Sequence, residues 1–572
     1  MKHFVIKNII ISIATMLLLA FVFNSVDYTE EEGFNPSDDG VILAQSFRII
    51  NGEIPHKDFI SIRPVFSGVM HSIHFFTGLP LQTSARWFVL LENFLTAFFF
   101  TMLLFTFFNK TFKNKDLIIF QSILLLIFIF NLNNYTLYPW TTIDALLFSS
   151  AGLFFWSNLF KKEKNFKTIV IGLFLICLAA LCRQNFAFLA FAAFSTSFII
   201  LKKQCTLRKI IICFAFGYLP FILYLVFLIC YSAIPEFLTQ ITGRTELLQT
   251  GIFRFIKHFI TSPLLVWYFI TILVGILVLL KKNISKTILK HSYLVSLGNF
   301  VLITIIGILT FAKGPEFLFN AAFDLFWILL FSLLFGTITN QLSILEIRIG
   351  FLVLFVAWIS SISLGDNTPI FVSGNLLIFG AYYNIKFLAS KIKTKNRISA
   401  YMLAFTALFF TVFSIYSQKN FNYRDLPSKE LSYNLGEVFK EFGGIKTNKN
   451  TYEYYREIKT ILELHPEMKN SFVILPNNAI IYPITGSRNP FPLDWMQKDE
   501  YIGSEEEINE MIEELLKTRK LLILVEKIDS KKLHEGKNEI VFPMEKFSYK
   551  EIIYKNTQTI PEKYYYFELR IN

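Results

Sequence analysis

The chain has 572 residues, of which 53% are hydrophobic and 66 are phenylalanine, and its mean hydropathy is +0.49. Apolar runs of roughly 17–23 residues, separated by lysine-rich punctuation, exclude a soluble globular protein and indicate a helical polytopic membrane protein. The formal charge of +12 sits mostly in short clusters between these runs, which reads as membrane orientation and not as nucleic-acid binding.

In chain order, the opening MKHFVIKNIIISIATMLLLAFVFNSV has a basic start and an apolar core. It lacks a small-x-small cleavage site, so a retained span is expected near 6–24. Further apolar runs fall near 86–108, 117–131, 140–160, 168–182, 186–201, 210–232, 262–280, 292–312, 318–338, 349–363, 370–388 and 398–416. The expectation is about 13 transmembrane helices. The cysteines (Cys177, Cys182, Cys205, Cys213 and Cys230) lie among these runs without metal-type spacing and read as small apolar packers.

Threaded from a cytoplasmic N-terminus, the loops on the inner side carry 22 Lys and Arg, against 8 on the other side. Positive charge resists translocation, so this bias sets the expected orientation. A loop at 25–84 and the tail at 417–572 then lie outside a plasma (inner) membrane. The expected fold is an all-α polytopic membrane domain over 1–416, followed by a small α/β extracytoplasmic domain over 417–572. In that tail a helix is expected at 504–519, opened by Ser504 with Glu507 three residues on, a capping box. Strands are expected in SFVIL, AIIYPI, LLILVE and YYYFELRI.

The external loop carries NPSDDGVILAQSFRIINGEIPHKDF. Val41, Ile42, Phe47 and Ile50 recur at loose helical spacing up to Gly52, which predicts an amphipathic helix lying in the membrane interface. Asp38 or Asp39 could cap that helix. Because neighbours on a helix diverge by about 100°, one could cap while the other faces a cavity. Pro55 and Pro64 precede a second short helix with His71 and His74 on it, read as packing residues because no third metal ligand is apparent.

The stretch SDDGVILAQSFRIINGEIPHKDFISIRP resembles the first external loop of GT-C membrane glycosyltransferases, nearest to bacterial family 39-like members related to protein O-mannosyltransferases and the lipid A aminoarabinose transferase. Asp38-Asp39-Gly40, Gly52, Pro55, Asp58-Phe59 and Arg63-Pro64 carry the likeness. Asp39 stands for the usual Glu, His56 for Tyr and Val65 for a second Pro. NSFVILPNNAIIYPITGSRNPFPLDW in the tail resembles the C-terminal external domain of the same group.

The resemblance implies an inverting glycosyltransferase that moves a sugar from a polyprenyl-phosphate donor to an extracytoplasmic lipid, glycan or protein. Asp38 would be the general base, with Asp39 as the alternative. A lipid phosphate is a good leaving group, so one carboxylate suffices. The leaving phosphate needs positive charge, for which Arg63, Arg183 and Lys313 are the candidates. Asp58, a motif residue, and Asp144, an ionisable residue one turn inside a span, are candidates for organising the substrate site. Nothing requires a cofactor or a metal, although the Asp38–Asp39 pair leaves a divalent cation open. The competing readings are a lipid-linked saccharide flippase and a non-catalytic envelope assembly protein. The first predicts charges deep in several spans and internal symmetry, and the second predicts that Asp38→Asn is silent.

Overall fold

The computed structural model describes residues 32–105, 114–133, 137–161, 164–242, 246–280, 286–363, 367–389, 396–422, 424–496, 505–535 and 540–572. The expected first span and Ser504 of the expected capping box lie outside these residues.

The apolar runs fold as helices because they are rich in Leu, Ile and Phe, with polar breaks at their ends. The helix Phe166–Cys182 starts where the Asn165 side chain accepts a hydrogen bond from the Lys167 amide, and Ile344–Ser360 starts with a full capping box from Ser343 and Glu346. Among the described residues, five helical segments are long and apolar enough to cross a membrane: Leu81–Phe105, Thr141–Phe160, Gln184–Leu201, Ser292–Lys313 and Pro315–Ile338. There are seven if two bent pairs each count as one span. Leu207–Gly217 and Leu219–Cys230 meet at 57°, and Gly251–Thr261 and Leu265–Leu280 meet at 91°. Pro220 and Pro263 stand at these breaks, where the missing N–H and the ring stop a continuous helix.

The expected thirteen helices of spanning length are therefore not shown among the described residues. Several expected spans form shorter helices, such as Phe166–Cys182 with 17 residues, about 25 Å at 1.5 Å per residue. Two further helices, Ile234–Thr242 and Glu246–Thr261, occupy a stretch expected to be loop. The helices Thr141–Trp156 and Phe166–Cys182 approach backbone to backbone. A Cβ at Gly172 would lie 2.4 Å from the Trp156 amide nitrogen, so only glycine lets these backbones meet.

The C-terminal region is α/β. The strands β1 (Tyr433–Asn434) and β2 (Lys446–Thr447) form an antiparallel ribbon. The strands β3 (Phe472–Leu475), β4 (Leu522–Glu526), β5 (Gln558–Thr559) and β6 (Phe567–Ile571) form one sheet in the order β3-β4-β6-β5. Only the β3–β4 pair is parallel. The helices Lys449–Leu464 and Glu505–Thr518 accompany it, the second close to its expected bounds. AIIYPI is not a strand. Its residues enter the short helix Ile481–Thr485, since Pro483 has no N–H to give to a sheet ladder.

This region shares its core with the first polar segment of the chain. Phe34, Leu43, Leu81 and Ala85 pack in one buried cluster with Tyr454, Tyr455, Ile480 and Leu522. Glu32 bridges to Lys446, and the Gly33 amide donates to the Lys446 carbonyl. The described parts of 32–85 and 425–572 therefore pack against each other.

The amphipathic helix forms at Val41–Ile50, but it does not lie in an interface. Val41, Ile42, Leu43, Ala44, Gln45, Ser46 and Arg48 are all buried. Arg48 explains why both faces are covered. Its guanidinium pairs with Asp494 at 2.9 Å and with Glu53 at 2.6 Å, and it donates to the Phe491 carbonyl. These contacts pin the helix beneath the 489–494 loop.

Candidate functional site

The site is built from the turn that precedes this helix. The Asn35 side chain accepts from the amides of Ser37 and Asp38, and the Asn35 carbonyl accepts from the Asp39 amide. This wraps the backbone so that the two aspartates diverge. Neither caps the helix, whose N-cap is Gly40. Gly40 is required by space: a Cβ there would fall 2.4 Å from the Ile480 Cα.

Asp39 turns inward. Its Oδ2 pairs with Arg86 at 3.0 Å, and Arg86 also donates to the Gly33 carbonyl at 2.7 Å. Gln82 donates to the Asp39 carbonyl. Burial pushes the Asp39 carboxyl up to about 6, against the opposing pull of Arg86. Asp38 turns the other way and pairs with Arg424 at 2.7 Å. Arg424 is 41% exposed while Asp38 is 5% exposed, so the pair spans from protein interior to open space.

That open space is a cavity of about 760 Å³ where the helix ends meet the C-terminal region. Its walls include Tyr138, Trp140, Lys313, Phe319, Phe371 and Arg424. Asp425 and His534 complete the polar side. Asp425 is occupied as a structural hub, accepting from the amides of Phe34 and Leu426 and from Thr447 and Asn448. Burial raises its carboxyl above the ordinary range. The cavity thus joins an aromatic wall to two cationic side chains, Lys313 and Arg424.

The other expected residues are distributed unevenly. The Arg63 guanidinium lies 5.5 Å from the Trp140 ring, beside the cavity wall. Arg183 is buried and donates to Thr142 Oγ1 and to the Ile362 carbonyl at 3.2 Å. It joins helix ends and does not line the cavity. Asp58 is exposed, and its carboxylate closes a tight turn by accepting from the Ile54 amide at 2.7 Å. It lines a separate cleft with Arg48, Arg488 and Arg519. His56 is buried between Gln240 and Tyr224, at 2.8 and 2.7 Å. Burial lowers it to about 4, so it is a neutral tether between this loop and the helices at 219–242.

Asp144 belongs to a buried cluster one residue beyond the cavity-lining Ile143. His71 Nε2 lies 3.2 Å from Asp144 Oδ1, and His71 Nδ1 lies 2.9 Å from His74 Nε2. Among the described residues, His71, Glu92 and Asp144 form a group whose donor atoms all lie within 4.8 Å of one another. His74 is outside this group, and His71 is joined instead by two acids from distant helices, Glu92 and Asp144.

Arg424 and Glu92 are the two residues that sequence reasoning missed. Arg424 carries a weak signal, as the first arginine after the last apolar run. Glu92 carries a stronger one, a lone acid in LLENFL within a predicted span.

Comparison with known protein families, curated proteins and solved structures finds no match.

Proposed function

We propose that this chain is a membrane-embedded, inverting glycosyltransferase of the GT-C type, using a polyprenyl-phosphate sugar at the extracytoplasmic face. The observation that carries the reading is the cavity bounded by Lys313 and Arg424, with Asp38 bound to Arg424 behind it. In this reading Lys313 and Arg424 hold the donor phosphate, and Tyr138, Trp140 and Phe319 cover the apolar start of the lipid and the sugar face. Asp38, held beside that phosphate by Arg424, accepts the acceptor's hydroxyl proton. Asp39, held by Arg86, positions the turn. Arg63 is an auxiliary cation, and Arg183 holds helix ends together.

The topology follows the charge bias. The shorter apolar helices and the N-terminal run complete about 13 crossings, and 32–85 and 425–572 are extracytoplasmic. Tyr138, Lys313 and Ile370, which line one cavity, come from loops or span ends assigned to the outer side. Arg348 over the Phe160 ring at 5.0 Å joins two loops assigned to the inner side.

Binding of an undecaprenyl monophosphate to the detergent-purified chain tests the cavity. Wild type should bind it, and Lys313→Ala and Arg424→Ala should each weaken binding about tenfold, in line with about 1.4 kcal/mol per charge-assisted contact. Equal affinity in all three proteins would remove the phosphate assignment. No binding by wild type would favour the assembly reading.

A further inference from the structure

The cluster at His71, Glu92 and Asp144 is not used by the proposed chemistry, and its charge does not balance on its own. Glu92 is 1% exposed and Asp144 is fully buried. Among the described residues, no hydrogen-bond donor reaches Glu92 Oε1, Glu92 Oε2 or Asp144 Oδ2. A cation held among the three donor atoms would supply what these buried oxygens lack. His71 Nε2 makes an ion-pair contact with Asp144 there, at 3.2 Å.

We propose that His71 Nε2, Glu92 and Asp144 bind one first-row divalent cation of the Zn²⁺ class. Two carboxylates and one neutral imidazole cancel its charge of two, which leaves a neutral site suited to burial. One nitrogen and carboxylate oxygens at such spacing favour a borderline ion over Ca²⁺ or Mg²⁺, which take oxygen donors.

The surroundings fit this ligand set. A metal at His71 Nε2 leaves the proton on Nδ1, which donates to His74 Nε2. His74 Nδ1 in turn donates to Ser84 Oγ at 2.9 Å. Such an outer chain fixes the ligand's tautomer and ring plane. Cys182 is buried within electrostatic range of both carboxylates. The ion would fasten the segment Phe66–Phe76 to the helices Leu81–Phe105 and Thr141–Trp156, behind the cavity wall at Trp140 and Ile143.

The test uses the full chain in detergent, with Zn²⁺ and Co²⁺ as probes. Elemental analysis after dialysis against micromolar Zn²⁺ should give one equivalent in wild type, and Glu92→Gln and Asp144→Asn should bind at least tenfold more weakly. Chelation should lower the Tm of wild type and leave that of Glu92→Gln unchanged. Because either variant could misfold, Co²⁺-loaded wild type supplies a second readout, a d–d absorption band that Zn²⁺ displaces. Wild type without Zn²⁺ or a Co²⁺ band would overturn the site. Stoichiometric Zn²⁺ in well-folded Glu92→Gln and Asp144→Asn would overturn it equally. None of these readouts is sugar transfer or lipid binding, so their failure is distinct from failure of the proposed function.

Discussion

Asp38 and Asp39 are chemically alike and adjacent, yet the Asn35 turn gives them opposite surroundings. Asp39 is enclosed with Arg86, and its carboxyl stands near 6 where an ordinary aspartate stands at 3.8. The raised value means that the folded state holds the proton more tightly than the unfolded chain. Its contribution to stability is present below about pH 4 and is lost as pH rises through about 6. The Tm of wild type relative to Asp39→Asn should therefore fall between those limits and level off above them. A flat difference would show that Asp39 ionises normally. For Arg48, truncation leaves Asp494 and Glu53 unpaired in the interior, so Arg48→Ala should cost about 3–5 kcal/mol, read as a large drop in Tm. The sequence points to Asp38 and Asp39 as a pair but cannot separate them, because the separation is made by Arg86 and Arg424, 47 and 386 residues away.

At the scale of elements, the short helix Val41–Ile50 is legible from its apolar spacing and from Gly52, which has φ +83° as a residue after a helix end requires. Its environment is not legible. An amphipathic pattern looks the same whether the apolar face meets lipid or protein, and only the Arg48 ion pairs reveal the second covering layer. Gly40 is where this helix touches Ile480, so Gly40→Ala should push the two apart and cost about 1–3 kcal/mol, with a matching loss of Tm. An unchanged Tm would mean that the contact is loose. The error at AIIYPI has a similar origin. Its β-branched residues suggest a strand, whereas the turn at Ala479–Ile480 leads into a helix that contains Pro483. The buried cluster was only half visible, because His71 and His74 are close in sequence while Glu92 and Asp144 come from separate spans.

For the whole molecule, hydropathy locates nearly every helix in the apolar half, and residues 32–85 and 425–572 do pack together. What hydropathy does not give is which helices are long enough to cross, since Pro220 and Pro263 bend two of them. The charge bias still makes a definite statement about sides. A reporter enzyme active only outside the cytoplasm should work when fused after Asn572 and fail when fused after Lys202. The reverse pattern would invert the topology and remove a lipid-borne donor from the cavity. The central claim, that Asp38 serves as base in sugar transfer from a polyprenyl-phosphate donor, is tested most directly by one assay. Membranes with matched amounts of wild type or Asp38→Asn would be supplied with radiolabelled polyprenyl-phosphate sugars, and both transfer and donor binding would be measured. The account predicts transfer by wild type and a loss of about 10²–10⁴-fold in Asp38→Asn with donor binding retained. Transfer undiminished in Asp38→Asn would contradict it.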